Sequence, residues 1–361
     1  MNSLSVLGKY LDQPRLVKRF SQAVPAILIA GGAGYTYNHV KNTPQKEKPK
    51  ELKKSIIVMS ATILSALIAP KASAKIAKLF SKQHPHECCC HHEHHSAIQA
   101  SLREITEEIT HKVDEFLAEN IVSEKSAEIL NKAKERILKP FEIKTVFEEL
   151  EGKPGAKEFL SGEDGLIPDP ENIDSKHIFG EIGRISILGL FPVLGGILGG
   201  ISADKATEKD WKERIPDKIK EGSYQYIANI FLCNVGAGTA LAMMEKVNVQ
   251  SKPIRAIGMI SGILLSGLVF GSAVANLIGK TFIDPLLSHK QAKNKGLYAE
   301  RKPEALDAGL HIDDVATVAV MSGLKWIEPA LPVLYSISGY RAGIGYRNGK
   351  THQKPTAQVQ N

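Results

Sequence analysis

The densest group of metal-binding side chains in this 361-residue sequence is a tract at residues 84–95. Imidazole and thiolate groups are the usual protein ligands of Zn, Ni, Co and Cu(I). On a helix, Cys88 would share a face with His91 and His92, because residues three and four apart lie on one side. The tract therefore predicts binding of Zn or another divalent transition metal. Its six histidines and three cysteines are His84, His86, Cys88, Cys89, Cys90, His91, His92, His94 and His95.

The spacing within this tract does not match a standard metal site. A zinc finger separates its two ligand pairs by a long loop, and residues 84–95 contain no such gap. The protease pattern His-Glu-x-x-His fails because Ser96 stands where the second histidine is required after His92 and Glu93. Two alternatives stay open: a flexible segment that binds metal without a selected geometry, and acylation of Cys88–Cys90 beside a membrane helix.

Lys325 and Glu328 form a second pair that could carry function. They stand between the apolar stretch Val315–Leu324 and the charge-free stretch Pro329–Tyr340. Residues three apart lie on one helix face, so the two charges can pair. One hypothesis is an intramembrane pair in a discontinuous helix that lines a polar cavity. The other, which we favour, is two short helices that meet at the lipid headgroups and leave both charges in water.

Catalytic and nucleotide-binding patterns are missing from the sequence. Gly279-Lys280-Thr281 resembles the end of a phosphate-binding loop, but Val274 occupies the position of its first glycine. We find neither a Ser/His/Asp set nor carboxylates paired at catalytic spacing, so we expect neither an enzyme nor a nucleic-acid partner. With 43% hydrophobic and 24% charged residues, a collagen and a fully disordered chain are also excluded.

Long stretches without charge organise the chain. A membrane-spanning helix needs about 20 mostly apolar residues. Five stretches lack Asp, Glu, Lys and Arg, and a sixth candidate, Val315–Tyr340, is interrupted by Lys325 and Glu328. We therefore predict an all-α, multi-pass helical membrane bundle of five or six spans, in which Ser55–Pro70 is short for a span. The five stretches are Phe20–Val40, Ser55–Pro70, Ile185–Ala203, Gly222–Met244 and Ala256–Gly279.

A polar region, residues 81–183, separates the second stretch from the third. It opens with the His/Cys tract and continues with an apolar stripe at helical spacing, which predicts an amphipathic helix. Residues 101–151 carry eight Lys/Arg and thirteen Asp/Glu, so this helical region is acidic in a chain of net charge +7. Glycines and prolines at 152–174 predict a linker. The stripe comprises Ile98, Leu102, Ile105, Ile109, Val113 and Phe116.

Glycines are ordered along the predicted spans. Small residues let helix backbones approach closely in lipid, where van der Waals contact drives association. In the fifth stretch, Gly258 and Gly262 form one stripe, and Gly267 and Gly271 form another that starts on the opposite side of an α-helix. That helix could therefore pack on two neighbours at once. The glycines predicted to pack are Gly195, Gly199, Gly258, Gly262, Gly267 and Gly271.

These patterns divide the chain into four segments. Residues 1–80 are predicted to form a hairpin of two candidate spans, and residues 81–183 are the polar region. Residues 184–289 are predicted to form a glycine-rich transmembrane core. Residues 290–361 are predicted to form a broken helix with a polar tail. The basic loops 41–54, 204–221 and 280–302 would lie on one side of a six-span bundle, which weakly favours the cytoplasm for that side. We leave the orientation open.

The sequence favours a non-enzymatic structural or interaction protein of the cell membrane, assembled by small-residue helix packing. Its expected partners are the lipid bilayer, together with a protein that binds the acidic region or a second copy of the chain. The alternative is a membrane transporter or channel, linked to metal through the His/Cys tract. A metal pathway needs ligands at mid-membrane, and the third to fifth stretches contain no His, Asp or Glu.

Overall fold

The computed structural model describes residues 1, 3–82, 101–162, 165–168, 175–249, 252–283, 285, 316 and 325–345. Within these ranges every regular element is helical, as predicted. The α-helices are α1 (Ser3–Leu11), α2 (Pro14–Lys41), α3 (Lys48–Lys82), α4 (Leu102–Glu119), α5 (Glu124–Glu135), α6 (Pro140–Leu150), α7 (Ala156–Ser161), α8 (Ser175–Thr207), α9 (Ile215–Tyr226), α10 (Leu232–Lys246), α11 (Lys252–Ile263), α12 (Ser272–Ile278) and α13 (Leu331–Ile344).

The chain divides into two units, and the N-terminal segment 1–80 contributes to both. Unit 1 comprises Met1–Val24, Ser81–His177 and Ala319–Ala330. Unit 2 comprises Pro25–Phe80, Ile178–Val318 and Leu331–Asn361.

Unit 1 is a small helical domain built on the predicted amphipathic pattern. Helix α4 begins at a capping box, in which the Glu104 amide donates to Ser101 Oγ and the Ser101 amide donates to Glu104 Oε2. Pro140 starts α6, where its missing N–H costs no hydrogen bond. The stripe on α4 is buried as expected, and Ile98 lies outside the described residues. The stripe residues buried in the core are Ile105, Ile109, Val113 and Phe116.

The prediction of a linker at 152–174 is wrong for helix α7 and for residues 165–167. Helix α7 packs into the core of unit 1 through Leu160, and Leu166 and Ile167 are buried beside it. The amides of Leu166 and Ile167 donate to the carbonyl oxygens of Phe159 and Leu160. The glycines and prolines supply turns, with φ of 83° at Gly152 and 71° at Gly155. They do not prevent packing, because the apolar residues that follow those turns still pack into the core of unit 1.

The N-terminal residues are tied to unit 1 by a buried glutamine. Gln13 Nε2 donates to the carbonyl oxygen of Leu138 at 2.9 Å, and the Leu138 amide donates to Gln13 Oε1 at 2.7 Å. Arg15 Nη2 also donates to the carbonyl oxygen of Lys134. These bonds hold the start of α2 against the segment that joins α5 to α6.

Among its described residues, unit 2 contains three helices that are long and apolar enough to cross a membrane: Lys48–Ile76, Gly180–Thr207 and Trp211–Lys246. A fourth candidate is the pair Ile257–Gly267 and Ser272–Ile283, bent by 42°. Ser55–Pro70, which looked short for a span, lies inside the 35-residue helix α3. Helix α2 is long, but it is not among these candidates. Five or six spans therefore stay a prediction.

Apolar side chains on the surface of unit 2 fit a lipid environment. Large hydrophobic residues stay exposed along the candidate spans, where a water-soluble domain would bury them. Unit 1 leaves few such residues exposed among those described. Examples in unit 2 are Ile56, Leu64, Ile68, Leu198, Leu265, Phe270, Leu277 and Phe282. The apolar helices and their exposed surface agree with contact between unit 2 and a bilayer.

Candidate functional site

A line of polar residues runs along the helix Trp211–Lys246 and is buried inside unit 2. We call it the polar stripe; its members are Lys218, Glu221, Gln225, Asn229 and Asn234. The first three intervals are three, four and four residues, which keep side chains on one face of an α-helix. Gln225 is 0% and Asn234 is 1% exposed. At about 1.5 Å per residue the stripe is roughly 24 Å long, which is most of the hydrocarbon thickness of a bilayer.

The last interval of the stripe depends on a π-helical turn. Residues Ile227–Phe231 form a π-helix, in which the Leu232 amide donates to the carbonyl oxygen of Ile227. Cys233 Sγ also donates to the carbonyl oxygen of Ala228 at 3.3 Å. A π turn holds more residues than an α turn, so a five-residue step brings Asn234 back toward the face that carries Asn229. Insertions of this kind are frequent at functional sites.

Hydrogen bonds join consecutive members of the polar stripe. Asn229 Nδ2 donates to Gln225 Oε1 at 2.9 Å, and Gln225 Nε2 donates to Glu221 Oε1 at 2.8 Å. The chain therefore runs through two amides and ends on a carboxylate. Farther along the helix, Asn234 Nδ2 donates to Ser186 Oγ of α8 at 3.1 Å. The buried amides are thus paired with protein groups, as burial in an apolar environment requires.

Charged side chains gather where the stripe begins, at an end of unit 2 that we call the charged end. It is formed by the start of α3, the end of α8, the start of α9 and the end of α13. Lys218 Nζ lies 3.0 Å from Asp204 Oδ2, and Lys54 Nζ lies 3.4 Å from Asp204 Oδ1. Arg341 Nε lies 3.9 Å from Glu221 Oε1, so the carboxylate that ends the hydrogen-bonded chain also faces a guanidinium.

Glu208 completes the charged end between α8 and the 3-10 turn Trp211–Arg214. Lys50 Nζ donates to its Oε2 at 2.7 Å, and Lys54 Nζ donates to its Oε1. Burial of Glu208 acts to raise its pKa, but the hydrogen bonds from the two lysines outweigh burial and lower the pKa to about 2. This carboxylate is therefore a fixed negative charge at neutral pH.

Lys218 also terminates α13. Its ammonium donates to the carbonyl oxygen of Gly343 at 2.8 Å and to that of Ile344 at 3.2 Å. The last carbonyl groups of a helix have no intrahelical partner, and a cation there satisfies them and complements the helix dipole. One buried side chain thus connects α8, α9 and α13.

Glycines lie at several helix crossings of unit 2. A Cβ at Gly195 would overlap Ser65 Oγ of α3, and one at Gly199 would lie 2.7 Å from the Ala61 Cβ. On another side of α8, a Cβ at Gly196 would overlap the carbonyl oxygen of Gly339 in α13. No side chain larger than hydrogen fits where backbone atoms stand this close.

The predicted glycine stripes of the fifth stretch face the same neighbour. A Cβ at Gly262 would overlap the carbonyl oxygen of Gly236, and one at Gly258 would overlap the Met244 side chain. A Cβ at Gly271 would lie 3.3 Å from Cα of Ala228 in that same helix, Trp211–Lys246. The expectation of two different neighbours is therefore wrong. The cause is the π-helix Leu264–Gly271, which changes the helical period between Gly262 and Gly271. Gly267 is buried in the last turn of this π-helix.

The other residues singled out in the sequence are only partly described. The whole His/Cys tract, His84–His95, lies outside the described residues. Within the part of the chain that the structure does describe, no group of three His, Cys, Asp or Glu residues is placed to hold a metal ion. Lys325 and Glu328 lie in the 3-10 helix Lys325–Ala330, which belongs to unit 1. Their pairing stays a prediction.

The polar stripe does not show in the charge pattern of the sequence, because its only ionisable members, Lys218 and Glu221, precede the charge-free stretch Gly222–Met244. Gln225, Asn229 and Asn234 carry no formal charge, so Gly222–Met244 reads as an uninterrupted apolar run. The spacing of Glu221, Gln225 and Asn229 at steps of four residues is the signal that indicates the stripe.

Comparison of the chain with protein-family models, curated proteins and solved structures gives no match.

Proposed function

We propose that this protein is a multi-pass membrane protein with a structural or interaction role, in which unit 2 is a close-packed anchor. The carrying observation is the backbone contact between α8 and α13, where Gly196 and Gly200 each leave no room for a Cβ beside Gly339 and Gly343. Such contacts hold helices together in lipid without a hydrophobic driving force. The pairing of buried charges at the charged end acts in the same direction.

Unit 1 is the part proposed to meet a partner. Exposed carboxylates line one face of α4, and the apolar face of that helix is already buried in the core of unit 1. Contact through the exposed face would therefore be electrostatic and sensitive to salt. The proposed occupants are a protein with a basic surface or a second copy of the chain, and no nucleic acid. The exposed acidic residues include Glu107, Glu108, Asp114 and Glu115, which face Arg103, Lys112, Lys134 and His111, so a basic partner would have to compete with these exposed pairs.

The test of the membrane proposal is fractionation of the full-length protein. It should stay in the pellet after carbonate extraction and dissolve only in detergent, since the apolar surface of unit 2 needs lipid or a substitute. Release into the carbonate supernatant would contradict membrane integration.

Close packing of the helices is tested in detergent with Gly196→Leu, which should lower the melting temperature. The matched control is Gly31→Leu, since a Cβ at Gly31 has no neighbour within 4 Å.

A second candidate, a transporter or channel, is favoured by one observation, the polar stripe. Buried polar groups in a membrane helix mark the paths of ions and polar substrates. The purified protein reconstituted into liposomes should then conduct protons or small ions, and Gln225→Leu should abolish the flux. Absence of any flux above protein-free liposomes favours the structural role. The matched control is Thr239→Leu, because Thr239 lies on the exposed side of the same helix.

The metal proposal concerns the His/Cys tract alone. Zn or another divalent transition metal is proposed to bind His84–His95, whose types and density suit it.

A further inference from the structure

One buried hydroxyl in unit 2 has no hydrogen-bond partner among the described residues. Ser338 lies on α13, is 0% exposed, and its Oγ is unpaired. Its neighbour Ser336 shows the usual solution, since Ser336 Oγ donates to the carbonyl oxygen of Val333 at 2.6 Å. A buried polar group without a partner is rare in proteins, and ordered water commonly satisfies it.

The contacts between α9 and α13 define the level at which Ser338 lies. The helices run antiparallel, with Lys218 bonded to the carbonyl oxygen of Gly343 and a Cβ at Gly222 placed 3.3 Å from the Ala342 Cβ. Farther along, Ile230 and Tyr335 both face Gly189 of α8. Ser338 lies between Ala342 and Tyr335 on α13, and Gln225 lies between Gly222 and Ile230 on the facing helix. The antiparallel register therefore brings Ser338 to the level of Gln225.

Gln225 has hydrogen-bonding capacity left at this level. A carboxamide can donate twice and accept twice. The bonds to Glu221 and Asn229 use one N–H group and one lone pair of Gln225. A water molecule needs two to four polar partners, and the hydroxyl with the remaining amide groups supplies them.

We propose that the interface between α9 and α13 binds an internal water molecule at the level of Ser338 and Gln225. The water accepts from or donates to Ser338 Oγ and to the Gln225 carboxamide, and it joins α13 to the hydrogen-bonded chain that ends on Glu221. The hydrogen bonds of the polar stripe would link this water to the charged end through Gln225 and Glu221. The site goes beyond a structural role, because it makes the interior of unit 2 hydrated where its sequence reads as apolar.

The experiment is solid-state NMR of the full-length protein in lipid bilayers, with magnetisation transferred from water to the side chains. The signal of the Gln225 side-chain amide is assigned because it is absent from the spectrum of Gln225→Leu. In the wild-type protein this signal should receive magnetisation from water at short mixing times. Ser338→Ala should remove that transfer, whereas Ser336→Ala should retain it. Absence of transfer in the wild-type protein, or its persistence in Ser338→Ala, would overturn the proposal.

Melting temperature gives an independent readout in the same variants. If the site is dry, Ser338→Ala removes an unpaired hydroxyl and raises the melting temperature, which also overturns the proposal. If water is bound, the substitution breaks its hydrogen bond and the melting temperature does not rise.

Failure of the membrane proposal is visible separately in the NMR data. Ile337 is 45% exposed on α13, and Ile121 is 96% exposed in unit 1. Water should reach Ile121 early and Ile337 late. Equal transfer to both would contradict the lipid contact of α13, while the water site is judged by Gln225 and Ser338→Ala.

Discussion

Lys218 and Asp204 form an ion pair in which both side chains are almost removed from water, at 6% and 4% exposure. The two residues come from different helices, and the same ammonium also holds the last carbonyl groups of α13. The pair therefore connects α8, α9 and α13, and the stability of the charged end depends on it.

Lys218→Met should destabilise unit 2 strongly. In the variant, Asp204 stays buried with only the more distant Lys54 as a partner. Two carbonyl groups of α13 also lose their hydrogen bonds. Removing one partner of a buried ion pair typically lowers the free energy of unfolding by about 3–5 kcal/mol. The measurement is thermal unfolding in detergent. Combining Lys218→Met with Asp204→Asn should recover part of the loss, because no buried charge is then unpaired.

Lys50→Met serves as the control for this prediction. Lys50 pairs with Glu208 but its side chain is 44% exposed, so the loss should be within about 1 kcal/mol. Equal effects of Lys218→Met and Lys50→Met would show that burial does not set the strength of these pairs.

Stability should depend on pH through Glu208. Its pKa of about 2 in the folded protein lies below the unfolded value of about 4.3, so its ionised form stabilises the fold at pH above 4.3. This contribution should decline as the pH falls from 4.3 toward 2. Melting temperatures of wild type and Glu208→Gln should therefore differ above pH 5 and converge at low pH.

A parallel series with Glu213→Gln controls for the general effect of acid. Glu213 is exposed on the 3-10 turn Trp211–Arg214, close in sequence to Glu208. A constant gap between wild type and Glu208→Gln across the whole pH range would contradict the assignment of a lysine-stabilised carboxylate.

Gly262→Leu should destabilise more than Gly271→Leu. At Gly262 the new side chain meets the backbone of Gly236, which cannot move without shifting the helix, whereas the Ala228 contact at Gly271 is looser. Overpacking typically costs about 1–3 kcal/mol. Thermal unfolding in detergent measures both variants, and their double variant tests coupling through the shared neighbour, helix Trp211–Lys246. Wild-type stability of Gly262→Leu would mean that this crossing is not close-packed.

The His/Cys tract should bind Zn or Ni with an affinity that falls at acidic pH. Imidazole and thiol groups must lose protons to coordinate a metal, so binding releases protons. Isothermal calorimetry of the full-length protein should show heat that disappears when the histidines at residues 84–95 are changed to Ala. His39→Ala and His111→Ala, which leave the tract intact, should keep the wild-type heat; unchanged heat in the tract variant would remove the metal assignment.

Local patterns in the sequence predicted the helical class and the amphipathic α4. These features depend on neighbours within one or two turns, so periodicity suffices to find them. The same reasoning gave the apolar stretches inside α3, α8 and the helix Trp211–Lys246. It misjudged helix α7 and residues 165–167, because glycine and proline content shows where the chain turns and says nothing about whether the residues beside the turns are buried.

The charged end and the facing of the glycines were decided by tertiary structure. Lys54, Asp204, Lys218 and Arg341 are far apart in the chain, and their pairing exists only because four helix ends meet. Gly262 and Gly271 share a neighbour because a π-helical segment shifts the helical period, and the spacing of the glycines alone does not indicate that segment. The sequence by itself determined which segments are helical and apolar, since those properties are local, whereas only the tertiary structure decided which polar groups are buried together.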